Sequence, residues 1–236
     1  MITVFTPTYN RSFTLGKLYR SLIRQTYQEF EWLIVDDGST DDTETLLESF
    51  LEEKKITLRW IKTKNGGKHR AINLAVREAK GGLFFIVDSD DYLYDNALEQ
   101  INFYASPIMH DDVFAGVCGL KTYFNGNNVG GEKYFEILNC SALDFRFKHK
   151  VKGDMAEVFK TAVLREYRFP EIENEKFCPE AFVWNQIALK YQFRYFNAKI
   201  YYCDYLPDGL TAKIIRLRME SPITSQLYYS DLFGMK

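Results

Sequence analysis

Runs of apolar residues alternate with amphipathic stretches along the first part of the chain. Four short runs rich in β-branched and aromatic residues predict strands, at residues 2–6, 30–35, 57–63 and 83–88. The segments between them show apolar residues three or four positions apart, which predicts amphipathic helices. The helical positions are Leu15, Leu18, Tyr19, Leu22 and Ile23, then Leu46, Leu47, Phe50 and Leu51, then the glycine-bounded segment 65–82. Such alternation predicts an α/β fold with a mostly parallel central sheet flanked by helices.

The pattern is less regular after Asp95. It predicts a helix near residues 96–106, strands at 113–120, 153–160 and 193–206, a helix at 179–191, and a polar, glycine-rich bend at 123–136. We place a soft boundary near residue 110 within one domain. Residues 1–110 then form a nucleotide-binding half, and residues 111–236 form a more irregular, mixed half that could supply specificity.

Polar segments follow each of the first four predicted strands, at residues 6–11, 36–37, 65–70 and 88–91. The carboxyl ends of parallel strands lie at one edge of a sheet, and ligands of open α/β sheets bind there. The sequence therefore predicts that these segments line one site.

The net charge, the cysteines and the first ten residues indicate which partners and which cellular compartment to expect. The 30 basic and 32 acidic side chains give a formal charge of −2, so we expect no nucleic-acid partner. The four cysteines show no CxxC pair, and residues 1–10 resemble a strand rather than a signal peptide. We therefore expect reduced core cysteines and a cytoplasmic protein.

Asp88, Asp90 and Asp91 place three carboxylates within four residues at the end of a strand. Like charges this close repel one another unless a cation joins them. Carboxylate oxygens suit Mg²⁺ or Mn²⁺, which keep open positions for phosphate oxygens. Arg11, Lys68 and Arg70 could meet those phosphates, with solvated charges at a helix start as the alternative.

The acidic run 36–42 has an ordinary structural explanation. Asp, Gly, Ser and Thr favour turns and helix starts, and Ser39 with Asp42 has the spacing of a capping box before the second helix. Taken alone, this run is better explained as a turn than as a binding site.

Four segments in order resemble family 2 glycosyltransferases: FTPTYNR, QTYQEFEWLIVDDGSTDDT, NGGKHRAINLAVREAKGGLFFIVDSDD and, less closely, CPEAFVWNQIA. The resemblance is dense over about residues 1–100 and patchy to about 210. It implies a GT-A fold, an inverting transfer and a nucleoside-diphosphate-sugar donor, often a UDP-sugar, with Mn²⁺ or Mg²⁺. Residues 1–110 would bind the donor and residues 111–236 the acceptor.

The resemblance also implies roles for individual residues. Tyr9, beside Pro7, is similar to the residue that packs on the nucleotide base, and Asp37, assisted by Asp36, to the acid that binds the base. Lys68 and Arg70 lie where relatives reach the base or the phosphates, together with Arg11. Asp88, Ser89 and Asp90 resemble the D-x-D motif of the family, with Asp88 and Asp90 toward the donor and the metal and Asp91 as a further metal contact.

The general base is predicted to be Glu180. Relatives often have a Glu-Asp pair at the start of a helix, and the matching pair here is Pro179-Glu180, followed by Ala181. A base needs hydrogen-bond reach to the acceptor hydroxyl and a partly desolvated setting. The alternatives are an ordinary first-turn glutamate, or a base among Glu171, Glu173 and Glu175. We otherwise expect these three acids to be solvated loop charges.

Two other functions stay open from the sequence. A binding module could keep the nucleotide-sugar pocket without turnover. A nucleotidyltransferase would also place a metal beside acids, but it should have a glycine-rich first loop, and TPTYNRSF has no glycine. We expect a glycan or lipid-linked acceptor in bacterial surface polysaccharide synthesis. The basic amphipathic segment 210–223 could lie on the inner face of a membrane, although such segments more often pack on their own domain.

Overall fold

The computed structural model describes residues 1–133, 135–203 and 213–234. The strands are β1 (Ile2–Thr8), β2 (Phe30–Asp36), β3 (Leu58–Lys62), β4 (Leu83–Ile86), β5 (Tyr92–Leu93), β6 (Phe114–Tyr123), β7 (Ile137–Cys140), β8 (Met155–Lys160) and β9 (Gln192–Cys203). The helices are α1 (Ser12–Ile23), α2 (Thr43–Glu53), α3 (Lys68–Glu78), α4 (Ala97–Ala105), α5 (Ala142–Phe147), α6 (Thr161–Glu166), α7 (Ala181–Lys190), α8 (Ile214–Glu220) and α9 (Pro222–Gly234), with a 3₁₀ turn at Ser106–Ile108.

Within these residues the nine strands form one sheet in the order β3-β2-β1-β4-β8-β6-β9-β5, with β7 paired to β9. The first four strands in that order are parallel, β6 and β9 are parallel, and the remaining pairs are antiparallel. The predicted α/β fold is confirmed. The sheet includes strands from both sides of residue 110. That residues 1–110 bind the donor and residues 111–236 bind the acceptor stays a prediction.

The two faces of the sheet bury separate apolar cores. One face, with Ile2, Val4 and Trp32, packs against α1, α2 and α4. The other, with Phe5 and Phe84, packs against α3 and α7. The central strands are buried on both faces, which explains their nearly continuous apolar sequences. This packing fixes the direction of β1, β2 and β4 and so fixes where their carboxyl ends open.

The predicted capping box at the start of α2 is wrong. The hydroxyl of Ser39 accepts a hydrogen bond from the backbone N–H of Asn10 at 2.8 Å, and Asp42 caps no N–H with its side chain. Asp41 instead accepts bonds from the N–H and hydroxyl of Thr43, at 3.1 and 2.6 Å. The acidic run therefore joins the loops after β1 and β2.

Several later elements were not predicted: β5, β7, α5, α6, α8 and α9. The predicted strand 193–206 is seen as β9 up to Cys203, and residues 204–206 lie outside the described part, as do residues 210–212 of the amphipathic segment. All four cysteines are buried. Across 1–133, 135–203 and 213–234, no helix is long and apolar enough to cross a membrane.

Candidate active site

One ammonium links an aspartate of the acidic motif to the predicted base at the carboxyl edge of the sheet. Nζ of Lys68 lies 2.6 Å from Oδ1 of Asp88 and 2.8 Å from Oε1 of Glu180. The three side chains come from the start of α3, the loop after β4 and the N-cap position of α7. The structure thus brings together three residues that are up to 112 positions apart in the sequence. Of these three, the edge prediction places only Lys68 and Asp88 together.

This ion-pair cluster favours the charged forms. Burial alone would lower the pKa of Lys68, but the charges of Asp88 and Glu180 raise it well above its ordinary value. Burial likewise would raise the pKa of Asp88, and the ammonium of Lys68 outweighs this and holds it below its usual range. The cluster therefore carries a lysine cation between two carboxylates.

Asp91 is turned away from the open edge. Its Oδ2 accepts a 2.7 Å hydrogen bond from the hydroxyl of Tyr201 on β9, and the same hydroxyl accepts the backbone N–H of Asp88 at 3.0 Å. Burial, and then the charge of Asp88, raise the pKa of Asp91 to about 8. Asp91 thus fixes the loop after β4 from inside.

Asp90 is half-buried beside these groups. Burial raises its pKa and the charge of Asp88 raises it further, while Arg11 and Lys68 partly offset the rise. Ser89, between the two acids of the motif, is buried, with 7% of its surface exposed. Asp88 and Asp90 are the members of the acidic motif that reach solvent.

Asp37 holds the glycine loop before α3. Its two carboxylate oxygens accept the backbone N–H groups of Gly66 and Gly67, at 2.7 and 2.8 Å, and Oδ2 also accepts Nδ2 of Asn65 at 3.3 Å. Burial raises the pKa of Asp37 despite the bonds from Gly66 and Gly67, which lower it. Gly67 has φ of +97°, and a Cβ there would lie 1.9 Å from the carbonyl oxygen of Lys176, so this position requires glycine.

Asp36 is the one predicted donor-binding residue that the structure seals completely. Its exposed fraction is 0%, and Oδ1 accepts the backbone N–H of Ser39 at 2.8 Å. It follows Ile34 and Trp32 on the face that packs against α1 and α2. Contact between Asp36 and a nucleotide would require this turn to open, so its geometry supports the structural explanation of the run 36–42.

The loop after β1 presents an aromatic surface at the same edge. Tyr9 is 47% exposed, whereas Pro7 is half-buried at the end of β1. The guanidinium of Arg11 lies 5.7 Å from the centre of the Phe13 ring. An exposed tyrosine ring provides a stacking face of the kind that nucleobases use.

Arg70 is tied to the segment before α7. Its guanidinium donates to the carbonyl of Ile172 at 2.5 Å and lies 3.4 Å from Oε2 of Glu171. Glu171 also accepts Nδ2 of Asn73 at 2.8 Å. Arg70 therefore positions the segment that leads to Glu180, and a phosphate would have to compete for it.

The three alternative acids differ in their surroundings. Glu175 is 5% exposed and accepts the backbone N–H groups of Ile223 and Thr224 at 2.7 and 2.8 Å, which caps α9. Burial alone would raise the pKa of Glu175, but these bonds lower it. Glu173 is exposed. The expectation that all three are solvated loop charges is therefore wrong for Glu175, whose oxygens hold a helix end.

Glu180 is the N-cap residue of α7, and its side chain caps no N–H of the helix. Its carboxylate is 37% exposed and points to Lys68 instead. Trp184, one turn later, packs against Phe159 with ring centres 4.4 Å apart, so it supports the helix from the core. The first turn of α7 thus presents Glu180 at the edge without fixing it to its own helix.

The acidic motif fits a divalent cation in part. Over the described ranges, no three His, Cys, Asp or Glu side chains converge in the manner of a preformed metal site. Asp88 and Asp90 nevertheless supply hard carboxylate oxygens, and Mg²⁺ is commonly held by one or two carboxylates together with substrate phosphates. Asp91 does not fit, because its carboxylate is committed to Tyr201. Asp88 and Asp90 are the residues that could hold the ion.

Two residues of this site were missed from the sequence. Tyr201 is buried in β9, 110 positions from Asp91, in a stretch so rich in aromatics that no single tyrosine stands out. Lys121 on β6 lies with Nζ 4.6 Å from the centre of the Tyr201 ring. Burial would lower the pKa of Lys121, and the charges of Glu157, Asp88 and Asp91 raise it. The sequence signal that could have indicated Lys121 was a lysine directly after an apolar predicted strand.

Comparison with known protein families identifies the family of this chain. Residues 3–159 match the sequence profile of the family described as Glycosyl transferase family 2. The chain belongs to this family. Its glycosyltransferase relatives include GlyG of Streptococcus pneumoniae serotype 4, which is 31% identical over 163 residues, 62% of this chain and 52% of GlyG.

A second relative is poly(ribitol-phosphate) β-N-acetylglucosaminyltransferase TarS of Staphylococcus aureus, which is 27% identical over 83% of this chain and 35% of TarS. The chain thus spans about half the length of GlyG and about a third of TarS.

Solved structures show the same fold. TarS residues 1–349 in complex with UDP-GlcNAc align with a TM-score of 0.67 and 24% identity, over 93% of this chain and 64% of that one. A mannosyltransferase of Pyrobaculum calidifontis in complex with GDP-Man and Mn²⁺ aligns with a TM-score of 0.65 and 18% identity, over 100% of this chain and 64% of the other. This family 2 glycosyltransferase has the GT-A fold.

Proposed function

We propose that this chain transfers a sugar from a nucleoside-diphosphate sugar, of which a UDP-sugar is the first candidate, to a hydroxyl acceptor with inversion at the anomeric carbon. One observation carries the proposal: Lys68 joins Asp88 to Glu180 within 3 Å. This contact supports a donor-side role for Asp88 and an acceptor-side role for Glu180 at one edge of the sheet, as a single displacement between two substrates requires.

Each residue of the site has a proposed role that follows from its position. The ring of Tyr9 offers a stacking face to the base, and the loop held by Asp37 lies beside it. Lys68 and Arg11 bring positive charge to the diphosphate as negative charge grows on the leaving group. Glu180 accepts the proton of the acceptor hydroxyl from the opposite side, so one displacement inverts configuration.

Asp88 and Asp90 would hold a divalent cation. Bound there, Mg²⁺ or Mn²⁺ would neutralise the diphosphate and stabilise it as a leaving group. Support comes from the Mn²⁺ in the complex of the P. calidifontis mannosyltransferase and from the effect of Asp88 on the pKa of Asp90, which a cation would reverse.

The test is a donor panel with the purified chain. UDP-GlcNAc, other UDP-sugars and GDP-mannose are each incubated with Mn²⁺, with Mg²⁺ or with EDTA, and release of nucleoside diphosphate is measured. NMR of the product then gives the anomeric configuration. We expect metal-dependent release from a UDP-sugar, and retention of configuration would overturn the inverting mechanism.

A non-catalytic binding module is the second candidate, and Ala181 favours it because relatives often have an acid at this position. Calorimetry separates the two functions. Donor binding without transfer or hydrolysis across the whole panel would support the module, whereas turnover with any donor would exclude it.

The acceptor is proposed to be a glycan or a lipid-linked sugar of bacterial surface polysaccharide. The name of TarS, a poly(ribitol-phosphate) glycosyltransferase, supports a surface polymer. Ile215 and Met219 on α8 are each 76% exposed, beside Lys213 and Arg216. This surface supports a cytoplasmic enzyme that can associate with the inner face of the membrane, and sedimentation with anionic vesicles tests it.

A further inference from the structure

Lys68 forms two ion pairs at the same time. Its Nζ is 2.6 Å from Asp88 and 2.8 Å from Glu180, and an ammonium has enough N–H donors for both. The backbone of Lys68 is fixed as the first residue of α3. The side chain is 22% exposed and has a flexible four-carbon stem, so the ammonium can turn without moving the helix.

A bound diphosphate changes what this ammonium can contact. The phosphates bring new negative charge to the edge, and a cation held by Asp88 would screen one of the two carboxylates that pair with Lys68. Glu180 and the diphosphate then compete for the same nitrogen. Because Glu180 offers one carboxylate that is 37% exposed, the more highly charged diphosphate wins this competition.

We infer that Lys68 is a latch that opens on donor binding: it occupies Oε1, the buried oxygen of Glu180, until a nucleoside diphosphate draws the ammonium away. The acceptor hydroxyl then reaches Oε1 only after the donor has bound. This inference rests on the proposed function, since it places the donor at Asp88 and the acceptor at Glu180. It makes Lys68 a positioning residue that sets the order of binding.

The latch has a measurable consequence in donor binding alone. If Glu180 holds the ammonium back, removing its charge frees Lys68 for the diphosphate and tightens binding. Partly exposed ion pairs contribute little, so the expected gain is about two- to fivefold in affinity. This gain must disappear when Lys68 has no charge.

Titration calorimetry of UDP at fixed Mn²⁺ tests this with four variants. Glu180→Gln should bind UDP about two- to fivefold more tightly than the wild type. Lys68→Met should bind more weakly, and Glu180→Gln should have no effect in that background. Glu166→Gln, which removes a carboxylate paired with Lys190 at 3.4 Å, should match the wild type. Lys68→Gln replaces Lys68→Met if thermal unfolding shows that the latter does not fold.

The outcomes separate the latch from the function on which it rests. Unchanged or weaker UDP binding by Glu180→Gln overturns the latch while the proposed function stands. Equal tightening in the Lys68→Met background also overturns it, because Glu180 would then repel the diphosphate directly. A wild-type chain that binds no nucleoside diphosphate with either cation overturns the proposed function, and the latch with it.

Discussion

The hydroxyl of Tyr201 lies 2.7 Å from Oδ2 of Asp91 and holds the acidic loop from beneath the sheet edge. The same oxygen accepts the backbone N–H of Asp88, so one side chain fixes both ends of the motif. The ring is 1% exposed, and water cannot replace the hydroxyl without repacking. The position of the acidic loop after β4 therefore depends on β9, in the second half of the chain.

Tyr201→Phe is expected to lower the free energy of unfolding by about 1–3 kcal/mol, because it leaves a buried carboxyl oxygen and a backbone N–H without partners. Urea unfolding measures this change. Tyr27→Phe is the control, since its hydroxyl makes an exposed bond of 3.3 Å to Glu29, and it should change stability by less than about 0.5 kcal/mol. Equal stability of Tyr201→Phe and the wild type would show that this bond does not hold the loop.

Asp90→Asn is expected to abolish the metal-dependent part of UDP binding. The amide keeps the shape of the side chain but removes the charge that a hard cation needs. Calorimetry with Mn²⁺ and with EDTA compares the two conditions, and we expect the wild type to bind at least about tenfold more tightly with metal. Asp95→Asn is the control, because it changes an exposed pair with Arg24. If Asp90→Asn still bound UDP more tightly with metal than with EDTA, the ion would have to be held by other ligands.

Glu180→Gln is expected to bind UDP with the higher affinity argued above and to lower the rate of transfer by about 100-fold or more, the usual scale for loss of a general base. The rate of nucleoside diphosphate release, at a saturating concentration of the donor that the panel identifies and with a hydroxyl acceptor present, measures this. Normal turnover in the variant would assign the base to another acid. Glu171 is the first to test, because it lies in the segment that leads to α7.

The sequence predicts the first half of the fold well, for a physical reason. Strands β1, β2 and β4 are buried on both faces, and their apolar runs stand out against the helices between them. Parallel pairing alone predicts that the segments after these strands lie at one edge of the sheet, and the structure does place Lys68 next to Asp88 there. Local pattern and tertiary structure agree here because each βα unit is built from neighbours in the sequence.

Contacts between distant segments could not be predicted in the same way. The role of Tyr201 depends on a pairing 110 positions away, and Glu175 caps a helix that begins 47 residues later. The short elements α5 and α6 have six residues each, too few to show a helical period. Asp36 and Asp37 are adjacent in the sequence, yet one is sealed beneath the sheet edge and the other holds the glycine loop.

His69 makes the stability of the protein sensitive to acid. It is 2% exposed, and neither ring nitrogen has a hydrogen-bond partner among the described residues. Burial, and then the charge of Arg70, lower its pKa from 6.5 to about 4, although Glu171 and Glu175 partly oppose this. In the unfolded chain His69 is therefore protonated as the pH falls below about 6.5, whereas in the folded protein it stays neutral down to about pH 4.

Above pH 6.5 the imidazole is neutral in both states and contributes no pH dependence. As the pH falls from 6.5 to 4.5, protonation of the unfolded chain lowers the free energy of unfolding by about 2–3 kcal/mol. His69→Leu removes this contribution, so its advantage over the wild type should grow by that amount between pH 7.5 and pH 4.5. Urea unfolding at both values measures the change, with the exposed His149 replaced by Gln as the control. Parallel pH profiles of His69→Leu and the wild type would show that His69 is protonated equally in the folded and unfolded chains.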